Sequence, residues 1–237
     1  MQIIGKGRIG TSLKLLDNSI QLIDRNSYKL IQNDQITMIA TRNDDLLNVL
    51  NNINIVASNL LFIQNGMLSP FLKEKKLDNS NRGLLYFAVS NLGDKPDIGD
   101  TSIFTGPHAP EIVDYLNSIG VSSKEVDNQT FKIVEMEKLI WICTFCLLSQ
   151  VHDKSVGKLV NENKDEIQTL FKEFTDIALK KEIQISDEQL NGLIDYSLSI
   201  PDYKGSVKEF KWRNGWFFNE DKNLKFHTSL LKKIGII

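Results

Sequence analysis

The sequence predicts an α/β domain over residues 1–129 followed by an all-helical domain over residues 130–237. The first half alternates short apolar runs with polar stretches of helical character, and a glycine-rich segment follows the first run. The second half carries long helical patterns instead. Strands separated by helices are typical of βαβ units, so the first half predicts a parallel sheet.

The composition is that of an ordinary globular protein, with 237 residues, 41% of them hydrophobic and 24% charged, and a net charge of −2. This near balance argues against a nucleic-acid or membrane-binding surface, which would need an excess of positive charge. No apolar run reaches the roughly 18 residues of a membrane span. The chain enters its first apolar run at once, so we expect no signal peptide. We expect a soluble, cytoplasmic enzyme or binding protein.

Four apolar runs in the first half are predicted strands, at residues 3–4, 20–23, 36–40 and 60–63. A short helix is predicted at residues 44–50, after the third run. Residues 84–104 are again strand-like, and Gly93, Pro96 and Gly99 mark a turn inside this segment. We expect it to form an antiparallel edge of the sheet.

The second half contains three strong helix signals. Residues 131–151 form a long apolar stretch without glycine or proline, which predicts a buried helix interrupted by Lys138. Residues 186–189 have the pattern of a capping box, so another helix is expected to begin there and to end before Pro201. Between them, residues 162–182 predict an amphipathic helix. Its apolar stripe consists of Ile167, Leu170, Phe171, Phe174, Ile177 and Ala178.

A complete G-x-G-x-x-G motif follows the first predicted strand directly. The first glycine permits a tight turn, the second lets backbone amides approach a pyrophosphate, and the third lets a helix pack close to the sheet. In this position the motif predicts a Rossmann-type dinucleotide-binding domain, although a glycine-rich turn without a ligand is the alternative. The residues predicted to hold the cofactor are Gly5, Lys6, Gly7, Arg8, Ile9 and Gly10.

Two residues at the end of the second predicted strand indicate opposite cofactors. Asp24 lies 19 residues beyond Gly5, where a carboxylate binds the ribose 2′-hydroxyl of NAD. Arg25 follows it, and an arginine there can pair with the 2′-phosphate of NADP. Spacing alone leaves open which side chain faces the ribose.

Several segments, taken in order, resemble the ketopantoate reductase (2-dehydropantoate 2-reductase) family along nearly the whole chain. They are the glycine motif, residues 20–25, the Gln-Asn-Gly element within 63–67, residues 137–141, and the E-x-x-x-x-N-G element at 209–215. The chain is similar to the short, divergent members found in some bacteria. The resemblance implies a Rossmann domain, a helical domain and an active site in the cleft between them.

The resemblance also implies a set of cofactor contacts. Arg25 corresponds to the family arginine that binds the NADPH phosphate, and Arg42 keeps the charge of a family lysine. Asn65 and Glu209 correspond to residues that contact the cofactor. The implied cofactor is therefore NADPH/NADP.

The resemblance assigns the chemistry to Lys138, as a general acid, together with Glu209. Asn65, Lys138 and Ser199 are the implied substrate contacts, and Ser197 is nearly as good a candidate as Ser199. Partial desolvation in an apolar helix would lower the pKa of a lysine to a useful range. The alternative is a lysine that extends from the helix to solvent.

Two positions depart from the family pattern. Ile142 and Cys146 stand where the family has asparagines for substrate binding, so the departures concern the substrate contacts and not the cofactor site. We also expect no metal site, because the three histidines lie apart in the sequence without a carboxylate grouping. Cys143 and Cys146 form a C-x-x-C inside an apolar helix and are expected to be buried thiols.

The expected activity is NADPH-dependent reduction of 2-dehydropantoate to pantoate, toward pantothenate and coenzyme A, by a monomer or a homodimer. A different reductase of the 3-hydroxyacid dehydrogenase or imine reductase type is the first alternative. A non-catalytic NADP-sensing protein is the second.

Overall fold

The computed structural model describes residues 1–237 and confirms the predicted fold class, a mostly parallel sheet flanked by helices together with a helical second part. The chain forms two compact units. The first unit comprises residues 1–64 and 68–131, and the second comprises residues 65–67 and 132–237.

The first unit is built on a seven-stranded sheet in the order β2-β1-β3-β4-β5-β8-β9. The nine strands of the unit are β1 (Gln2–Ile4), β2 (Gln21–Ile23), β3 (Thr37–Ile39), β4 (Leu60–Phe62), β5 (Asn81–Leu84), β6 (Phe87–Ala88), β7 (Asp97–Ile98), β8 (Ser102–Thr105) and β9 (Ser123–Glu125). Strands β6 and β7 form a separate antiparallel ribbon. The four predicted apolar runs became β1 to β4, all parallel. Every residue of β1, β3 and β4 is buried, and a continuous apolar run suits strands that are covered on both faces.

The register of the sheet places the glycine motif at a switch point. Ile3 of β1 lies opposite Leu22 of β2 on one side and Met38 of β3 on the other. The strands that follow β1 in the chain therefore lie on opposite sides of it, β2 on one side and β3 on the other. In open α/β sheets, ligands bind beyond the carboxyl ends of the strands at such a point. Four helices complete the unit: α1 (Arg8–Leu16), α2 (Leu46–Asn51), α3 (Ser69–Glu74) and α4 (Ala109–Ser118).

The predicted antiparallel edge is only partly correct. Strand β8 does pair antiparallel with β5, but it is not the edge, because β9 continues the sheet beyond it in parallel with β8. Strand β9 has the sequence Ser-Lys-Glu, and only Ser123 of the three is buried. Such a strand has no apolar run to reveal it.

The second unit is helical, with α5 (Asn128–His152, most of which belongs here), α6 (Val156–Glu162), α7 (Lys164–Lys180), α8 (Asp187–Ser199), α9 (Asn214–Glu220) and α10 (Lys225–Lys233). Every residue of the predicted stripe on α7 is buried. The predicted capping box at the start of α8 is present, with Ser186 and Gln189 as its partners. None of the helices is both long and apolar enough to span a membrane.

Candidate active site

The three glycines of the first loop have different structural roles. Gly5 has φ of +130°, and a methyl group there would lie 2.6 Å from the carbonyl oxygen of Ala40. A methyl group at Gly10 would overlap the carbonyl oxygen of Gly5. At Gly7, in contrast, no atom lies within 4 Å of that position. Packing therefore requires the first and third glycines, whereas the second faces open space.

Helix α1 begins directly beyond this open space. Gly7 is its N-cap, no side chain caps the helix, and its first turn holds no acidic residue. The Arg8 side chain is directed elsewhere, since its Nη1 donates to the carbonyls of Val89 and Ser90 at 3.2 and 3.3 Å. Backbone amides at a helix start, beside space left by a glycine, form a cradle suited to a phosphate group. These residues fit a dinucleotide.

The Asp24 carboxylate accepts hydrogen bonds from its own turn and from the glycine loop. Its Oδ2 accepts a hydrogen bond from Lys6 Nζ at 2.7 Å, and its Oδ1 accepts from Ser27 Oγ at 2.8 Å and from the Asn26 amide at 2.9 Å. The hydrogen bond from Lys6, followed by those from Ser27 and Asn26, lowers the pKa of Asp24 to about 2. The carboxylate is therefore charged at neutral pH and is paired with a cation.

The two arginines expected to bind the 2′-phosphate of NADP have exposed side chains. Arg25 follows Asp24 in the turn after β2, and Arg42 precedes a 3₁₀ turn after β3. Both lie beyond the carboxyl ends of strands that flank β1. The glycine loop, Arg25 and Arg42 all belong to the first unit.

Lys138 lies half-buried on α5, followed by the fully buried Leu139 and Ile140. Burial, and after it the positive charge of Arg213, lowers the pKa of Lys138 to about 7. An ordinary lysine titrates near 10.4. At neutral pH this amine can therefore both hold a proton and release it.

Glu209 and Arg213 form an ion pair between Oε2 and Nη2, with side chains only 19% and 14% exposed. Glu209 has φ of +48°, a left-handed conformation that costs a non-glycine residue about 1–2 kcal/mol. The Arg213 Nε is buried without a hydrogen-bond partner. A buried unpaired donor costs about 1–3 kcal/mol.

Arg213 was not among the predicted site residues. The resemblance gives a role to Glu209 and includes the Asn214–Gly215 pair in its motif, but it gives none to Arg213. The signal available was the E-x-x-x-R spacing, which is that of an i, i+4 ion pair on a helix. Here a left-handed residue and a 3₁₀ turn bring the two side chains together instead.

The Asn65–Met67 segment packs on that same turn. Gly66 has φ of +107°, and a methyl group there would lie 2.7 Å from the carbonyl oxygen of Trp212. The Met67 amide donates to this oxygen at 2.8 Å. Three of the predicted elements therefore lie in one unit: the Asn-Gly part of the Gln-Asn-Gly segment, the lysine of α5, and the turn with Glu209.

The Asn214–Gly215 pair ties this turn to the helical core. Asn214 is buried, and its Nδ2 donates to the Cys143 carbonyl at 3.0 Å and to His227 Nε2 at 3.2 Å. Burial lowers the pKa of His227 to about 4, so at neutral pH the uncharged ring accepts this bond. A methyl group at Gly215 would lie 2.6 Å from the Phe210 carbonyl oxygen.

The two serine candidates differ in exposure. Ser197 is fully buried, where its hydroxyl accepts from Trp141 Nε1 at 2.9 Å and donates to the Leu193 carbonyl at 2.8 Å. Ser199 is exposed at the end of α8, and its hydroxyl donates to the Tyr196 carbonyl at 2.7 Å. The Ser197 hydroxyl is thus committed to the packing of Trp141.

The remaining candidates form no site. Both cysteines are free and buried, as predicted, and burial raises the pKa of each thiol. Two of the three histidines each lie beside one carboxylate, His108 beside Glu111 at 3.5 Å and His152 beside Glu166 at 3.0 Å. No three potential metal-ligand side chains come together anywhere in the chain.

No protein-family model matches the chain, and no curated protein sequence matches it. Solved structures do. A PanE/ApbA family ketopantoate reductase from Ralstonia eutropha is 14% identical, with a TM-score of 0.82 over 100% of this chain and 98% of the other. The dimeric ketopantoate reductase from Staphylococcus aureus is 14% identical, with a TM-score of 0.78 over 98% of each chain. A D-mandelate dehydrogenase in complex with NADH is 15% identical, with a TM-score of 0.76 over 99% and 97%. The chain has the fold of these two reductases and of this dehydrogenase.

Proposed function

We propose that the protein belongs to the ketopantoate reductase family and reduces 2-dehydropantoate to pantoate with NADPH. The observation that carries this proposal is the setting of Lys138, half-buried with its pKa lowered to about 7, in the unit that also holds the Glu209–Arg213 pair. A strongly perturbed titratable group of this kind marks a functional site more often than a structural one. The shared fold supports the choice of reaction class.

The first unit supplies the proposed cofactor site. The amides around Gly7 and at the start of α1 would hold the pyrophosphate, and Arg25, with Arg42 as a second cation, would hold the 2′-phosphate. NADPH supplies the hydride when it is bound. Lys6 keeps the Asp24 carboxylate paired, which reduces the repulsion that a free carboxylate would exert on a phosphate.

The second unit supplies the proposed proton. As the keto oxygen of the substrate gains negative charge, the Lys138 ammonium donates its proton to it. A pKa of about 7 makes this ammonium a stronger acid than an ordinary lysine. Asn65 and Ser199 would orient the substrate, and Glu209 holds Arg213 in place.

The test is NADPH consumption by the purified protein with 2-dehydropantoate, other branched 2-keto acids and cyclic imines. We expect saturable turnover with 2-dehydropantoate and little with imines. Turnover restricted to imines would move the protein to the imine reductase class. Cofactor binding without turnover of any compound would make it a sensor.

One second candidate has its own support. NADH-dependent reduction of a different 2-keto acid is favoured by the position of Asp24 at the end of β2 and by the D-mandelate dehydrogenase with NADH among the similar structures. Running the substrate panel with both cofactors separates the two candidates.

Of the two oligomeric states left open by the sequence, a monomer and a homodimer, the homodimer is favoured by the likeness to the dimeric Staphylococcus aureus reductase.

A further inference from the structure

Arg213 has hydrogen-bonding capacity that its ion pair does not use. A guanidinium carries five N–H donors in a planar fork. One of them, on Nη2, reaches Glu209, while the buried Nε has no partner. A carboxylate can take two parallel hydrogen bonds from one edge of such a fork.

The positive charge of Arg213 acts on several titratable groups of the second unit. Besides Lys138, it acts on Tyr203 and Cys146, whose pKa values burial raises and Arg213 draws back down. Arg213 and Lys138 therefore lie close enough for the charge of one to act on the other.

A purely structural ion pair explains these contacts less well. It would hold the turn after Glu209, but a lysine could do this as a point charge, without the fork. It would also leave the buried Nε without a hydrogen-bond partner.

We propose that Arg213 binds the carboxylate of the substrate and thereby makes the site specific for 2-keto acids. This rests on the proposed function, which it deepens by naming the residue that recognises the acid group. In a 2-keto acid the carboxylate is bonded directly to the carbonyl carbon. A carboxylate held by Arg213 would therefore keep the keto oxygen close by. The neighbouring Lys138 can then protonate this oxygen.

The experiment measures binding without turnover. The probes are oxamate, an unreactive analogue of a 2-keto acid, and oxamide, its neutral counterpart of nearly the same shape. Isothermal titration is performed on the whole protein with and without NADP. Arg213→Gln removes the charge and the fork, and Lys211→Gln is the matched control, because Lys211 is an exposed cation in the same stretch. Circular dichroism checks that each variant is folded.

We expect oxamate to bind the wild-type protein and the Lys211→Gln variant, and oxamide to bind neither. Arg213→Gln should weaken oxamate binding about 10- to 100-fold, the usual effect of losing a charge-assisted hydrogen bond. Arg213→Lys keeps the charge and can still pair with Glu209, so it tests the fork even if the glutamine variant does not fold. It should weaken oxamate binding about 10-fold.

Unchanged oxamate affinity in both Arg213 variants would overturn the assignment, as would equal binding of oxamate and oxamide. The kinetic counterpart is a KM for 2-keto acids that rises in Arg213→Gln with a smaller change in kcat. Turnover of 2-dehydropantoate with a normal KM in that variant would refute this inference and leave the proposed function standing. Oxamate binding that depends on Arg213, without any turnover of 2-dehydropantoate, would support this inference and refute the proposed function.

Discussion

Lys138 shows how much one side chain can depend on its surroundings. The sequence left two outcomes open, a buried acid or a lysine extending to solvent, because the choice depends on what packs over the helix. The structure makes it half-buried and adds the charge of Arg213, and both effects lower its pKa to about 7. In the sequence Arg213 has only the spacing of a helical ion pair with Glu209, and its actual pairing depends on the left-handed conformation of Glu209, which is not a glycine.

Replacement of Lys138 by alanine tests its role as the acid. We expect turnover to fall about 10²- to 10⁴-fold, the usual contribution of a positioned general acid. NADPH affinity should change little, because the pyrophosphate is assigned to the glycine loop. Steady-state kinetics and a fluorescence titration with NADPH measure the two quantities. Near-normal turnover in a folded Lys138→Ala protein would contradict the assignment.

Replacement of Arg25 by alanine tests the choice of cofactor. The variant should bind NADPH more weakly by about 1.5–3 kcal/mol, the scale of a charge-assisted hydrogen bond, and bind NADH almost as before. Lys29→Ala, the loss of another exposed cation nearby in the sequence, is the control. Equal losses for both dinucleotides would show that Arg25 does not contact the phosphate.

At the scale of elements, features set by local sequence were predicted well. The stripe of α7 and the capping box of α8 are as expected, because helical periodicity and capping involve neighbouring residues. Strand β9 was missed because it is short and mostly exposed. The packing of Asn65–Met67 on the turn at Trp212 was also beyond prediction, since it joins residues far apart in the chain.

The loop between β1 and α1 provides a matched pair of variants. Gly10→Ala would place a methyl group against the Gly5 carbonyl, so we expect the free energy of unfolding to fall by about 2 kcal/mol or more. Gly7→Ala meets no atom and has φ of −81°, so stability should change by less than about 0.5 kcal/mol. Denaturant unfolding measures both.

The same two variants should differ in a second way. Because the methyl group of Gly7→Ala enters the space assigned to the pyrophosphate, this variant should lose NADPH binding while keeping its stability. If Gly7→Ala binds NADPH normally, the loop does not cradle the phosphates.

At the scale of the whole molecule, stability should depend on one buried histidine. The pKa of His227 is lowered to about 4, while an unfolded histidine titrates near 6.5. Between these values the unfolded chain binds a proton that the folded protein excludes, so stability falls as the pH falls from 6.5 to 4. The expected loss is about 2–3 kcal/mol.

His227→Gln removes this titration and keeps a side chain that can accept the Asn214 bond. The pH dependence of unfolding between pH 4 and 7 should therefore be shallower in the variant than in the wild type. Thermal unfolding at a series of pH values compares the two. Parallel curves over this range would mean that folding does not lower the pKa of His227.

The hydrogen bonds of Asn214 also bear on how the protein ages. Asparagine followed by glycine is the dipeptide most prone to deamidation, in which the next backbone nitrogen attacks the side-chain amide. Asn214 resists this while folded, because Cys143 and His227 hold its amide nitrogen in place. Asn191, which also precedes a glycine, is exposed and has no such protection. If the chain unfolds and position 214 becomes aspartate, refolding would bury a carboxylate facing a carbonyl oxygen, so the damage would be lasting.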